Sequence, residues 1–231
     1  RSLGPALELA RAAARLCPHA GLIHFTNPAG ILTQAMRSVL GERVIGICDT
    51  PIGLVNRTLN ALDIPEEERA DVSFDYAGLN HLGWLRSLSV GGRDILPCLF
   101  AADEALASME ESRAIGTDWI RALGALPNEY LFYYYCHREA MARIHQDQTR
   151  GEYLRDQQEA FYNAVLAGPE QAGRTWIDAL ADREATYMAE ARDVDERSGR
   201  RAEDIAGGGY QKVALDLMNA LATNTPARMI L

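Results

Sequence analysis

Between residues 21 and 61 the chain alternates strand and helix with short connections, and that alternation leaves few folds open. Gly21 to Thr26 (GLIHFT) is an apolar, β-prone run that stops at Asn27-Pro28. ILTQAMRSVL follows, placing Ile31, Ala35 and Val39 on one helical face. Val44 to Cys48 (VIGIC) reads as a second strand, and Asp49-Thr50-Pro51 as a helix start with a capping side chain ahead of a proline in the first turn. PIGLVNRTLNAL then continues as helix. A further helix precedes the whole unit, with Leu3, Leu7, Ala10 and Ala14 at helical spacing and a stop at Cys17-Pro18. Such alternation means parallel βαβ units, whose ligands bind beyond the carboxyl ends of the strands. Asn27 and Cys48 stand at those two ends.

From Asp71 the texture changes. VSFDYAGLNHLGWLRSLSVGGRDI shows two-residue alternation and a Gly91-Gly92 turn, the marks of antiparallel strands, with His81 in or beside them. Beyond Ala101 the pattern is mainly helical: ADEALASMEESRAI, EYLRDQQEAFYNAVLAG, the stretch after Pro169, and YQKVALDLMNALAT. The polar stretch IPEEERAD marks a boundary near residues 65–70, giving an α/β part over residues 1–68 and a mixed α+β, mostly helical part over 69–231. A dinucleotide-binding domain normally opens with a strand, a G-x-G-x-x-G turn and a helix, and the sequence contains no such turn. The cluster Gly207-Gly208-Gly209 follows a charged stretch and reads as a loop before the last helix, while the closing ARMIL looks like a strand cut short. The expectation is an excerpt that lacks a first nucleotide-binding half.

Charge filters the partners. With 32 acidic against 23 basic side chains the net charge is −9, which disfavours non-specific attraction to nucleic acid or an anionic membrane. No apolar run approaches the ~20 residues of a membrane span, and the opening RSLGPALELARAAARL lacks a secretory pattern, so the expected location is the cytoplasm. The 231 residues, 48% of them hydrophobic, suffice for a packed core. Cys17, Cys48, Cys98 and Cys136 are scattered, unlike a disulfide framework, and are expected to be reduced.

One of those cysteines has a chemical context. A thiolate at Cys48 and an imidazole at His81 together suit a divalent transition metal, and the tyrosine-rich PNEYLFYYY further on offers a phenol as a base. Each residue alone has a plainer use: a buried strand cysteine packs as a small hydrophobe, a lone histidine serves as a hydrogen-bonded structural group, and an aromatic run fills a core. Asn27 before Pro28 is a natural turn residue.

FTNPAG, GICDTP, GLNHLGW, PNEYLFYYY and ALATNTPARMIL, in that order over nearly the whole chain, resemble glycoside hydrolase family 4. T-N-P alone also occurs in lactate and malate dehydrogenases; the five together are specific. GLNHLGW and YLFYYY look most like the 6-phospho-β-glucosidases of the family. The resemblance implies the carboxyl-terminal part of a Rossmann-like (lactate/malate dehydrogenase-like) domain, followed by a substrate domain. It also implies an NAD-dependent route that departs from paired-carboxylate hydrolysis. In that route C3 of the sugar is oxidised by hydride loss to NAD, a base removes the C2 proton, and the C1 leaving group is eliminated. Water then adds and the hydride returns. A divalent metal, usually manganese in the family, polarises the C2 and C3 oxygens. Substrates would be phosphorylated disaccharides or aryl glucosides, and the assembly a dimer or tetramer.

Carried onto this sequence, Cys48 and His81 match the metal ligands and Tyr130 the base. A phenol with a free pKa near ~10 needs a cation close by to act at neutral pH. Tyr133, Tyr134 and Tyr135 are expected to be mainly structural. Asn27 matches the residue that reaches the sugar hydroxyls beside the nicotinamide. Arg150, in QDQTRG, falls where family members hold the substrate and suits a 6-phosphate, with Arg86 a second candidate. Asp49 departs from the β-type pattern: many β-type members carry asparagine there, whereas an aspartate is the proton donor of 6-phospho-α-glucosidases. The other motifs keep the β reading ahead, with a 6-phospho-α-glucosidase as the alternative. A 2-hydroxy-acid dehydrogenase-like oxidoreductase, which has no use for a metal cysteine, and an inert fragment are the remaining rivals.

Overall fold

The computed structural model describes residues 2–79, 81–144, 148–192, 209–227 and 229. Helix α1 (Leu3–Leu16) ends where Cys17-Pro18 ends it in the sequence. Strands β1 (Leu22–His24) and β2 (Val44–Gly46) pair in parallel, Leu22 opposite Val44 and His24 opposite Gly46, with α2 (Ala29–Leu40) as the crossover. The expected βαβ unit is present, with each strand only three residues long. Beyond the ladder, the Ile47 amide still donates to the His24 carbonyl at 2.8 Å and carries the chain toward Cys48.

The buried face of α2 is offset from the one expected. Ala29, Leu32, Met36 and Leu40 are buried, while Ile31 is 63% exposed. The reason is close packing: Met36 and Leu40 lie against Ala10 of α1 and Val44 of β2, and Thr33 presses onto Gly46, where any Cβ would overlap its hydroxyl. That hydroxyl donates to the Ala29 carbonyl at 2.7 Å and lies 2.9 Å from His24 Nε2. Helix α3 (Thr50–Ala61) starts at the expected place with Pro51 in its first turn. Asp49, however, makes no capping bond. Its backbone is already helical (φ −94°, ψ −19°) rather than extended, so the carboxylate does not fold back onto the first amides.

The second part is built on an antiparallel hairpin, β3 (Val72–Leu79) and β4 (Leu82–Val90), with Leu79 opposite Leu82. Gly91 and Gly92, at φ +55° and +78°, turn β4 into the short β5 (Arg93–Asp94), as their sequence predicts. Strand β6 (Leu126–Pro127) pairs with β4 at Trp84 and Leu85. Helices α4 (Leu96–Ala101), α5 (Asp103–Ser108), α6 (Glu110–Ile115) and α7 (Thr117–Leu123) fill the interval. The single helix expected over ADEALASMEESRAI breaks at Met109, whose extended backbone (ψ 137°) lets its side chain reach the core beside Leu106. Tertiary packing there overrides helix propensity. Helices α8 (Phe132–Tyr135), α9 (His137–Ile144), α10 (Arg150–Ala167), α11 (Ala172–Ala185) and α12 (Tyr210–Thr223) follow. Thr149 and Glu152 close a capping box at the start of α10.

The main core joins α3 to the hairpin: Leu54, Val55 and Leu59 pack with Leu85, Leu88, Leu96 and Leu99. This packing fixes the start of α3, and hence Cys48, against β4. Gly207-Gly208 and most of ARMIL lie outside the described residues; Met229 packs against the β1–β2 side of the core with Val213 and Leu217 of α12.

Candidate metal and acid-base site

Three short turns bring the expected residues together. Cys48 is delivered two residues past β2 and is 2% exposed. His81 lies in the two-residue connection between Leu79 and Leu82, with φ +65°, the left-handed backbone such tight hairpin connections require. Its sulfur-to-imidazole distance, Cys48 Sγ to His81 Nε2, is 3.3 Å across 33 residues of sequence. Tyr130 arrives by way of β6: because β6 pairs with Trp84 and Leu85 of β4, and the Asn128 amide donates to the Gly83 carbonyl at 2.9 Å, the turn Glu129–Leu131 is brought beside His81. The two rings stack, centroids 4.1 Å apart and planes inclined by 11°.

The donor set fits one ion. With bonds of about 2.3 Å to sulfur and about 2.0–2.1 Å to nitrogen, two ligands subtending about 100° stand about 3.3 Å apart. Among the described residues no group of three or more His, Cys, Asp and Glu side chains is placed to hold a metal; a cation held by Cys48 and His81 alone would keep coordination positions for other ligands. Burial pushes the Cys48 thiol up, with Thr50 pulling the other way, and burial lowers His81. A bound divalent cation reverses the first effect, since a coordinating thiol is deprotonated outright.

Burial also raises Tyr130, and the neighbouring Glu129, Cys48 and Asp49 add to the rise. One contact opposes it: the Tyr187 hydroxyl donates to the Tyr130 oxygen at 2.6 Å, a bond that favours the phenolate. Tyr187 was not visible in the sequence, being 57 residues away on no recognisable motif. Tyr210, at the start of α12, is a second partner that sequence reasoning missed. Its hydroxyl bonds Asn27 and Cys48, and its ring packs 5.1 Å from Phe25. Asn27 is thereby linked to the cysteine; it is exposed, and its bond to Pro28 is cis.

The remaining candidates are less central. Arg150, partly buried, donates to the Thr186 hydroxyl at 2.8 Å and to the carbonyls of Thr186 and Arg183, and stacks 5.0 Å over Tyr153. It holds α10 to the end of α11, and its charge acts on Tyr133. Arg86 is exposed and pairs with Asp75 across the hairpin. Five residue-to-residue steps along the strand separate it from His81, about 17 Å. Tyr133 donates to Glu190 and Tyr135 accepts from Trp84 Nε1 at 3.1 Å, both supporting the second core around Phe132. Tyr134 is 67% exposed and does not share that packing role.

Residues 1–64 match the family 4 glycosyl hydrolase model and residues 76–231 match the family 4 glycosyl hydrolase C-terminal domain. A maltose-6'-phosphate glucosidase of Bacillus subtilis (strain 168) is 25% identical over 100% of the chain and 49% of its own length. A 6-phospho-beta-glucosidase of Escherichia coli (strain K12) is 31% identical over 62% of the chain and 33% of its own length. The chain thus spans half or less of these relatives. A crystal structure of a 6-phospho-alpha-glucosidase from gut microorganisms, in complex with NAD and Mn2+, shares the fold with a TM-score of 0.63 at 21% identity, covering 99% of this chain and 50% of that one. With both halves of the chain matched in order, it belongs to the family 4 glycosyl hydrolases.

Proposed function

We propose that the protein carrying this chain hydrolyses 6-phosphoglucosides with the help of NAD and a divalent metal, manganese being the first choice. The observation that carries the reading is the convergence of Cys48, His81 and Tyr130 within one ring-stacked, sulfur-to-imidazole cluster. When bound, the cation polarises sugar oxygens and the nicotinamide accepts a hydride. The residues of the chain do the rest. Cys48 and His81 hold the ion with sites left open. Tyr130, its oxygen held by the Tyr187 hydroxyl, takes the proton from C2. Asn27, linked to Tyr210, orients the sugar hydroxyls beside the nicotinamide. Arg150 offers a guanidinium for the 6-phosphate from the start of α10. Arg86, paired on the outer face of the hairpin, is the weaker candidate for that role. The dinucleotide's phosphates have no glycine-rich turn in this sequence, so NAD binding is proposed for the whole protein.

Asp49 favours the α-linked substrate. Its carboxylate is not used as a helix cap, it is partly exposed, and its charge acts on both Tyr130 and Tyr210. A carboxyl group next to the metal cysteine is well placed to protonate a leaving oxygen. The other motifs favour the β-linked substrate, which is the second reading. Cleavage of 4-nitrophenyl 6-phospho-α- and 6-phospho-β-glucosides, each with and without NAD and manganese, tests both. Cleavage that needs neither addition, or that survives Cys48→Ser, overturns the proposal.

A further inference from the structure

Resting on that reading, we infer that Asn128 is a positioning residue that ties the base to the metal cysteine and sets the direction of the hydrogen bond reaching the sulfur. Asn128 is 0% exposed and sits between the two halves of the site. Its Oδ1 accepts the backbone amide of Tyr130 at 3.1 Å. An amide hydrogen can only be donated, so the carbonyl end of the carboxamide faces Tyr130 and the NH2 end faces the other way. That NH2 meets Thr50 Oγ1 at 3.2 Å, and Thr50 Oγ1 lies 3.4 Å from Cys48 Sγ.

The polarity of the chain follows. Because Asn128 Nδ2 donates to the Thr50 oxygen, the one hydroxyl hydrogen of Thr50 is left to point at the sulfur. A thiolate ligand therefore receives a donor whose orientation is decided 80 residues away in sequence, beside the base. Both anchors rest on rigid supports: Thr50 is the first residue of α3, and the Asn128 amide is bonded to the Gly83 carbonyl at the start of β4. The same carboxamide thus fixes where Tyr130 stands and how Cys48 is solvated. Nothing in the reaction needs Asn128 to touch substrate; it acts through its two neighbours.

Asn128→Ala and Asn128→Asp separate the two ends. Alanine removes both bonds. Aspartate keeps an acceptor for the Tyr130 amide and, when ionised, has no donor, so it takes the Thr50 hydroxyl for itself and turns it away from the sulfur. In the full protein, hydrogen exchange at the Tyr130 amide should accelerate about tenfold or more in Asn128→Ala and stay near the parent rate in Asn128→Asp. In Asn128→Ala, kcat should fall about 10–100-fold with KM within about threefold, and the isotope effect with C2-deuterated substrate should rise, because a misplaced base slows proton transfer itself. Thr50→Val should cost activity in the parent and nothing further in Asn128→Asp, while Thr50→Ser behaves as the parent. Unchanged Tyr130 amide exchange in Asn128→Ala, or a Thr50→Val loss of the same size in both backgrounds, overturns the inference. An inactive parent overturns the proposed function instead, and the amide exchange still decides this one.

Discussion

Glu129 should make the protein less stable as pH rises from acid to neutral, and a single substitution should abolish that slope. The Glu129 carboxyl is 2% exposed, in a buried cluster with Glu111 (0%), Glu110 (5%) and Arg57 (7%). One guanidinium nitrogen of Arg57 is taken by Glu111 in a close bond, and Glu129 Oε2 lies 3.6 Å from the same nitrogen. The adjoining cavity, bounded by Glu110, Arg113, Glu129 and Arg192, measures about 10 Å³, room for a single water at most. Burial, opposed by Arg57 and reinforced by Glu111, pushes the Glu129 carboxyl up from 4.5 to about 8. Above the unfolded value the unfolded chain gives up this proton while the native state keeps it, so the native state binds more protons and stability falls with pH. The slope is about 1.4 kcal/mol per pH unit, and integration from pH 5 to 7.5 gives about 3 kcal/mol. Glu129→Gln preserves size and neutrality without a titrating group. Urea unfolding of parent and variant across that range should give a stability difference that widens by about 3 kcal/mol in favour of the variant. His24 and His81, both lowered by burial, add slopes of the opposite sign that are common to both proteins and cancel in the difference. Parallel curves would show Glu129 ionised in the folded protein and refute the reasoning.

Three further outcomes are expected. Arg57→Met strands the buried Glu111 carboxylate and should cost about 3–5 kcal/mol at neutral pH in urea unfolding. Tyr130→Phe should lower kcat by about 10²–10⁴ with little change in KM, leaving manganese binding by calorimetry intact. Asp49→Asn should cut cleavage of the α-linked 6-phosphoglucoside far more than that of the β-linked one; equal losses on both would remove Asp49 from leaving-group protonation.

The parts of the fold that the sequence discloses are those fixed by local chemistry. Cys17-Pro18, Asn27-Pro28 and Gly91-Gly92 end or turn elements by their own backbone limits, and α12 begins and ends where YQKVALDLMNALAT does. Expectations that depended on a partner fared worse. The face of α2 is chosen by Gly46 and Val44, not by the periodicity of α2, and Met109 breaks a helix because the core has room for it. Asp49 reads as a cap because aspartate before proline so often is one, yet its helical backbone rules the bond out.

The site divides along the same line. Cys48, His81 and Tyr130 were marked in the sequence by the family 4 motifs that hold them, and each sits in a short turn: a strand end, a left-handed hairpin corner, a strand-to-helix step. Their partners, Tyr187, Tyr210 and Arg57, come from helices or helix ends whose surroundings put no comparable constraint on sequence. What unites the two groups is α3. Its first residue, Thr50, touches the sulfur and receives Asn128; two turns later Arg57 meets Glu129, the residue before Tyr130. A helix rises about 1.5 Å per residue, so these anchors lie about 10 Å apart on one rigid rod. Bonded through Asn128 at one end of this rod and packed against it at the other, the turn holds the phenol beside the imidazole without the phenol being bonded to it.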